Sequence, residues 1–177
     1  MTRPGSDETR REHDAARLIA WGNELRTVHA RLRAALAATR ESLAESVRET
    51  LDTAAVRDAV ASGLLADARV YCRGFCVALT RHHRGEDTAL FPAIEAAHPE
   101  LAPVLRKLEQ DHSMLDDLLN GVEAAVARSA SAAELETHLD GVAAIMENHF
   151  AYEERQLLAV LDTLALDADP SVALGAL

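Results

Sequence analysis

Aromatic residues make up only 3% of this 177-residue sequence, although 49% of it is hydrophobic. A β-sandwich draws on aromatic and β-branched side chains, which this chain does not supply in number. Abundant alanine with Leu and Val points instead to packed helices. Proline is nearly as scarce: Pro4, Pro92, Pro99, Pro103 and Pro170 leave 5–91 and 104–169 free of the strongest helix breaker. Each of those stretches is long enough for a helical hairpin. Positive charge is in deficit, with 18 Lys and Arg against 29 Asp and Glu and a net charge of −11. No basic stripe exists to neutralise phosphates, which excludes nucleic acid as a partner. No apolar run approaches the roughly 18 residues that a membrane span requires. Met1 to Asp14 is polar and lacks the apolar core of a signal peptide, so the sequence predicts a soluble, cytoplasmic protein. Cys72 and Cys76 are the only cysteines, too few for a thiolate zinc site, and read as buried packing residues.

What is present is helical periodicity in a chain sized for one domain. Residues 1–10 read as a disordered leader, 11–166 as the folded domain and 167–177 as a flexible tail. From about Arg11, Leu18, Trp21, Leu25, Leu32 and Leu36 lie on one helical stripe that includes His29. It continues to Leu43, Val47 and Leu51. Asp52 or Thr53 can cap a new short helix from Ala54, and Ser62-Gly63 is a second candidate break. A long helix is expected over 63–88, on the stripe Leu65, Cys72, Phe75, Leu79, His82, Glu86 and Leu90. Pro92 opens a short helical turn that His98-Pro99 closes. The third helix, about Pro103 to Ala127, has an aliphatic stripe from Leu101 to Val126 whose single exception is His112. Ser131 and Glu134 have capping-box spacing ahead of a fourth helix carrying Leu135, Leu139, Val142, Met146, His149, Glu153 and Leu157. The expected fold is all-α, an up-down four-helix bundle with an extended first hairpin.

Each of the four helices thus places a histidine on its core-facing stripe: His29, His82, His112 and His149. Glu86 and Glu153 stand one turn after His82 and His149, on the same helix faces. A charged carboxylate in an apolar bundle costs several kcal/mol unless paired or metal-bound. Four imidazoles and two carboxylates meeting in one core balance each other if cations lie among them. Six such donors exceed one tetrahedral zinc. They suit a pair of iron or manganese ions bridged by carboxylates. His83 lies about 100° around the helix from His82 and reads as a neighbour or surface residue. Asp87 reads as a solvated carboxylate. Asp116, one turn after His112, is a further candidate. His13, His98 and His138 fall outside the core stripes.

With those residues in place, the chain resembles hemerythrin-like proteins of the HHE cation-binding family. The likeness runs from about Leu25 to Leu161. It rests on LRTVHARL around His29, HHRGEDTALFP around His82 and Glu86, EQDHSML around His112, and NHFAYEERQL around His149 and Glu153. The resemblance implies a non-haem di-iron centre with an oxo or hydroxo bridge. It names His29, His82, Glu86, His112, His149 and Glu153 as the ligands. The chain departs from the oxygen carriers of that group at two places. Asp116 stands where they have a histidine, and a Glu153 ligand follows His149 at a spacing of four. The 53 residues from His29 to His82, against 37 from His112 to His149, predict a first hairpin that overhangs the second. Residues Leu43 to Val60 on that overhang are a candidate homodimer surface.

The function expected is binding of dioxygen, nitric oxide or peroxide at the irons, for carriage, sensing or redox turnover. Trp21, Phe75 and Phe150 are candidate apolar lining. Tyr152, His83 and Asp116 are candidate proton sources for a peroxide- or NO-consuming activity. One alternative is a ferritin-like carboxylate di-iron enzyme or iron store, which needs Glu-x-x-His pairs on inward helices. Glu109 with His112 fits that pattern, and Glu95 with His98 meets it only at a helix end. The other alternative is a metal-free structural bundle.

Overall fold

The computed structural model describes the backbone of residues 6–52 and 57–175, and the side chains of residues 21–48 and 63–175. Every regular element among them is helical. Helix α1 spans Ser6–Asp52 and α2 spans Arg57–Gly85, continued by a π-helical turn at Glu86–Leu90. Helix α3 (Phe91–Ala97) and a 3₁₀ turn (Pro99–Leu101) lead into α4 (Ala102–Ala127). Helix α5 (Ala132–Leu161) and the short α6 (Pro170–Ala173) complete the chain. Helix α1 packs on α2 and α5, and α4 packs on the same two, so the four long helices enclose one core.

Sequence explains most of these boundaries. Pro92 opens α3, and His98, at φ −136°, closes it before Pro99. Ser131 caps α5 by accepting a hydrogen bond from the Glu134 backbone N–H. At the α4–α5 turn Ser129 takes φ +60°. The Ala130 N–H then bonds the Ala125 carbonyl at 2.9 Å, a Schellman-type closure. The expected stripes are the core: Leu25, Leu32 and Leu36 from α1, Cys72, Phe75 and Leu79 from α2. Leu108, Leu115 and Val122 from α4 and Leu139, Val142 and Leu157 from α5 complete it.

Several boundaries differ from expectation. Helix α1 begins at Ser6, inside the stretch read as a disordered leader. Ser62-Gly63 does not interrupt α2, because an exposed glycine costs a helix only about 1 kcal/mol against alanine. The cap at Thr53 and the start at Ala54 lie outside the described residues, as do most side chains of the expected dimer surface. The overhang itself is present. Helix α1 continues 23 residues beyond His29 while α4 continues 15 beyond His112. That difference is about 12 Å of helix.

The largest difference is the C-terminal segment, read from sequence as a flexible tail. It folds back over α2 and the π turn, burying Ala173 and Leu174. Two glycines permit the approach. A Cβ on Gly85 would lie 2.6 Å from the Val172 carbonyl oxygen, and one on Gly175 would lie 2.3 Å from that of Arg81. Gly175 also needs its φ of +56°. No helix among the described residues is long and apolar enough to cross a membrane.

Candidate metal centre

All six residues singled out by sequence meet in the bundle core. His29, His82, Glu86 and Glu153 bring one donor atom each within 4.8 Å of one another, and all four are buried. A second group with the same spacing joins His112 and His149 to His83. His83 therefore is not a surface neighbour: it is 2% exposed. Helix α2 is flanked by α1 on one side and α4 on the other, so its buried arc is wide enough to take two consecutive residues. Asp116 is half-buried and belongs to neither group.

The two carboxylates stand between the groups. Glu86 Oε1 is 3.3 Å from His82 Nε2, and its Oε2 is 3.4 Å from His112 Nε2. Glu153 Oε2 is 3.2 Å from His29 Nε2 and 3.8 Å from His149 Nε2. Glu86 opens the π turn, in which the Phe91 N–H bonds the Glu86 carbonyl. Such turns are found often at functional sites.

The outer nitrogens are held from behind. His29 Nδ1 donates to Glu154 at 2.8 Å, and His112 Nδ1 donates to Asp87 at 2.7 Å. His82 Nδ1 donates to the Leu174 carbonyl at 3.0 Å, which makes the C-terminal segment part of the site. His149 Nδ1 lies 3.8 Å from Asp111. These contacts turn the Nε2 atoms of all four rings inward. Asp87 and Glu154 were not expected here. The signal was an acid directly after each HxxxE, as Glu86-Asp87 and Glu153-Glu154.

Burial opposes charge on every histidine of the site, but its outcome differs. On His29 the nearby Glu153 and Glu154 outweigh it and raise the pKa to about 9. Asp87 and Glu86 do the same for His112, to about 10. Burial prevails at His82, lowered to about 3 with help from His29, and at His149, lowered to about 4. His83 is also driven well down, first by burial and then by the His112 charge. Burial and repulsion from Glu153 push Glu86 up, whereas His29 holds Glu153 down. The charge is thus unevenly shared among groups that all face one another.

A family profile, the hemerythrin HHE cation binding domain, matches residues 22–161. The chain belongs to the hemerythrin HHE cation-binding family. No curated protein and no solved structure matches it. Whether these residues suit the metal that a hemerythrin domain implies can be judged from their unmet polar atoms. Nine buried nitrogen and oxygen atoms of the site lack a hydrogen-bond partner, including both oxygens of Glu86 and of Glu153 and both nitrogens of His83. The 3.2–3.4 Å approaches among them are close enough for ion pairs but miss hydrogen-bond directions. Leaving so many polar atoms unsatisfied is costly. Imidazole and carboxylate donors around cations remove that cost, so the hemerythrin residues fit a metal site.

The remaining titratable candidates lie elsewhere. His98 pairs with Glu100 at a helix end, and His138 packs beside Gly121. Glu109 and Glu95 are exposed, so neither Glu-x-x-His pair reaches the core. Cys72 and Cys76 are buried and free, and burial pushes the Cys76 thiol up to about 12. Neither thiol is poised for redox chemistry.

Proposed function

We propose that this is a non-haem di-iron protein that binds dioxygen or a related small ligand, nitric oxide or peroxide, between helices of an up-down bundle. The observation that carries the reading is the placement of Glu86, one oxygen toward a histidine of each group. Glu153 also stands between the groups, turning a single oxygen, Oε2, toward both His29 and His149. Two carboxylates shared by two sets of histidines are the arrangement expected of a bridged pair of ions. His83, His112 and His149 would hold one iron and His29 and His82 the other, with Glu86 and Glu153 between them. Bound iron would supply electrons and an open coordination position for the small ligand.

The protein's own residues have three tasks in this reading. Asp87, Glu154 and the Leu174 carbonyl fix three ring orientations, so that Nε2 and not Nδ1 faces the metal. Phe150, Phe91 and the surrounding leucines exclude water from one side. On the other, a cleft of about 340 Å³ lined by Lys107, Asp111, Asn148, His149, Tyr152 and Arg155 reaches the outer edge of His149. Protons can pass between solvent and the site there through Asp111, which Lys107 holds at 2.7 Å. Tyr152 lies in the same cleft beneath the Lys107 ammonium. Carriage, sensing and turnover all share this architecture.

The test is anaerobic loading with Fe(II), metal analysis, and absorption spectra before and after air. About two irons per chain with near-ultraviolet bands appearing on oxidation are expected. A folded protein that takes up no Fe(II) would overturn the proposal. His112→Ala must lose iron where His138→Ala keeps it. Consumption of peroxide or nitric oxide then separates turnover from reversible binding.

A further inference from the structure

Each long helix of the bundle turns one face to water, and α2 differs in what it puts there. On α4 the outermost positions are Arg106, Gln110, Ser113, Asp117 and Asn120, all polar and all exposed. On α2 the residues opposite the buried stripe of Cys72, Phe75 and Leu79 include Val70, Gly74 and Val77. Val70 is 69% exposed and Val77 54%, with Tyr71 at 54% beside them. A single surface valine needs no explanation, but two of them two turns apart beside a tyrosine make an apolar face. A Cβ at Gly74 would meet nothing within 4 Å, so the bundle itself has no need of a glycine there.

The charges on this face are placed symmetrically about Gly74. Asp67 lies seven residues before it and Arg81 seven residues after. At about 100° per residue, Asp67, Val70, Gly74, Val77 and Arg81 fall within an arc of about 80°. Neither Asp67 nor Arg81 has an ion-pair partner among the described residues. A second α2 laid antiparallel across the first, with the two-fold axis at Gly74, would bring each of these groups to a complement. Asp67 of each copy would meet Arg81 of the other, and Val70 would meet Val77. The glycines would meet at the crossing, where the lack of side chains lets two helix axes approach to about 8 Å. Val172, 63% exposed on the segment that covers Gly85, would lie over Gly63 of the second copy, where a Cβ also meets nothing. Arg73 falls outside the arc and stays in water at the rim.

A patch complementary to itself in both shape and charge fits a two-fold contact, in which residue i meets j and j meets i. We propose that the outer face of α2 is a homodimer surface, occupied by a second copy of this chain packed antiparallel through α2. This face is separate from residues 43–60 on the overhang, and its pairing does not depend on metal. The helix contact from Gly63 to Arg84 is about 30 Å long. One helix pair of that length buries less than the roughly 800 Å² per partner of a tight complex, so the dimer is expected in the micromolar range.

Sedimentation equilibrium of the full chain tests this, with the exposed positions 67, 74, 77 and 81 varied. Wild type should dimerise with a Kd of about 1–100 μM. Val77→Asp should leave it monomeric throughout that range, with circular dichroism unchanged because Val77 lies outside the core. Asp67→Arg and Arg81→Asp should each weaken dimerisation at least about tenfold, and the double exchange should recover it to within about threefold of wild type. Gly74→Cys, at the two-fold axis, should form a disulfide-linked dimer on oxidation, whereas Ser113→Cys on the outer face of α4 should not. The native Cys72 and Cys76 are buried and do not compete. A wild type still monomeric at about 500 μM, well above the expected range, overturns the proposal. So does a dimer that survives Val77→Asp, a double exchange that fails to restore what the single changes lose, or a Gly74→Cys protein that cross-links no better than Ser113→Cys.

Discussion

Replacing Gly85 by alanine separates the stability of α2 from the orientation of His82. Gly85 sits at φ −62° and ψ −45°, ordinary helical backbone that alanine adopts freely. In the helix alone the substitution stabilises by about 1 kcal/mol. Its new methyl would lie 2.6 Å from the Val172 oxygen and 2.9 Å from the Gly175 nitrogen, both backbone atoms, so the C-terminal segment must move off. Burial of Leu174, at 1% exposure, contributes up to about 3 kcal/mol, part of which is then lost. The net cost to the fold is therefore small, about 1–2 kcal/mol. The cost to the site is different in kind. The Leu174 carbonyl departs, His82 Nδ1 loses its acceptor, and the ring is free to turn. Loss of such a partner lowers metal affinity by about 10–100-fold, or about 1.4–2.7 kcal/mol. Gly175→Ala displaces the same segment from its other side, through a 2.3 Å approach to the Arg81 oxygen. The double variant should bind metal no worse than the weaker single one, because both break one contact. Anaerobic Fe(II) or Co(II) titration with circular dichroism checks this. Both variants binding metal as tightly as wild type, with residues 170–175 shown by hydrogen exchange to be released, would refute the role given to Leu174.

Asp87→Asn and Glu154→Gln should each weaken metal binding about 10–100-fold, whereas Asp116→Asn should leave it unchanged in the same titration. Ser129→Gly relieves a left-handed serine and should raise stability by roughly 0.5–1 kcal/mol in urea denaturation, without altering metal uptake. Metal uptake should release protons near neutral pH, because His29 and His112, raised to about 9 and about 10, are charged there and must be neutral to coordinate. Affinity should accordingly rise from pH 6 to pH 8 when followed by calorimetry in buffers of different ionisation enthalpy; a flat profile would show that neither ring carries a proton in the metal-free protein.

The bundle and the six inward donors were legible because each obeys a local period. His112 is the single polar residue on an otherwise aliphatic stripe, and helical spacing alone sends it inward. His83 was not legible for the complementary reason: periodicity gives the centre of a buried face but not its width, which α1 and α4 set together. Asp87 and Glu154 sit beside Glu86 and Glu153 in sequence, yet the rings they hold, His112 and His29, lie on other helices. The fold-back of the C-terminal segment depends on Gly85 and Gly175 meeting across 90 positions, a contact that no local pattern encodes. The π turn at Glu86 is equally silent in composition, since its residues would serve an α-helix as well.

Glu153 and Glu154 of α5 close on His29 of α1, and Glu86 and Asp87, just after α2, close on His112 of α4, which has a consequence for how the molecule comes apart. Neither hairpin contains a finished half-site: His29 is clamped by α5, and His112 by α2. A cation seated in either group would therefore rivet one hairpin to the other, and parting the hairpins would dismantle both groups in the same movement. Chelation and unfolding should behave as a single cooperative event, with no folded population that has surrendered one ion while keeping its neighbour.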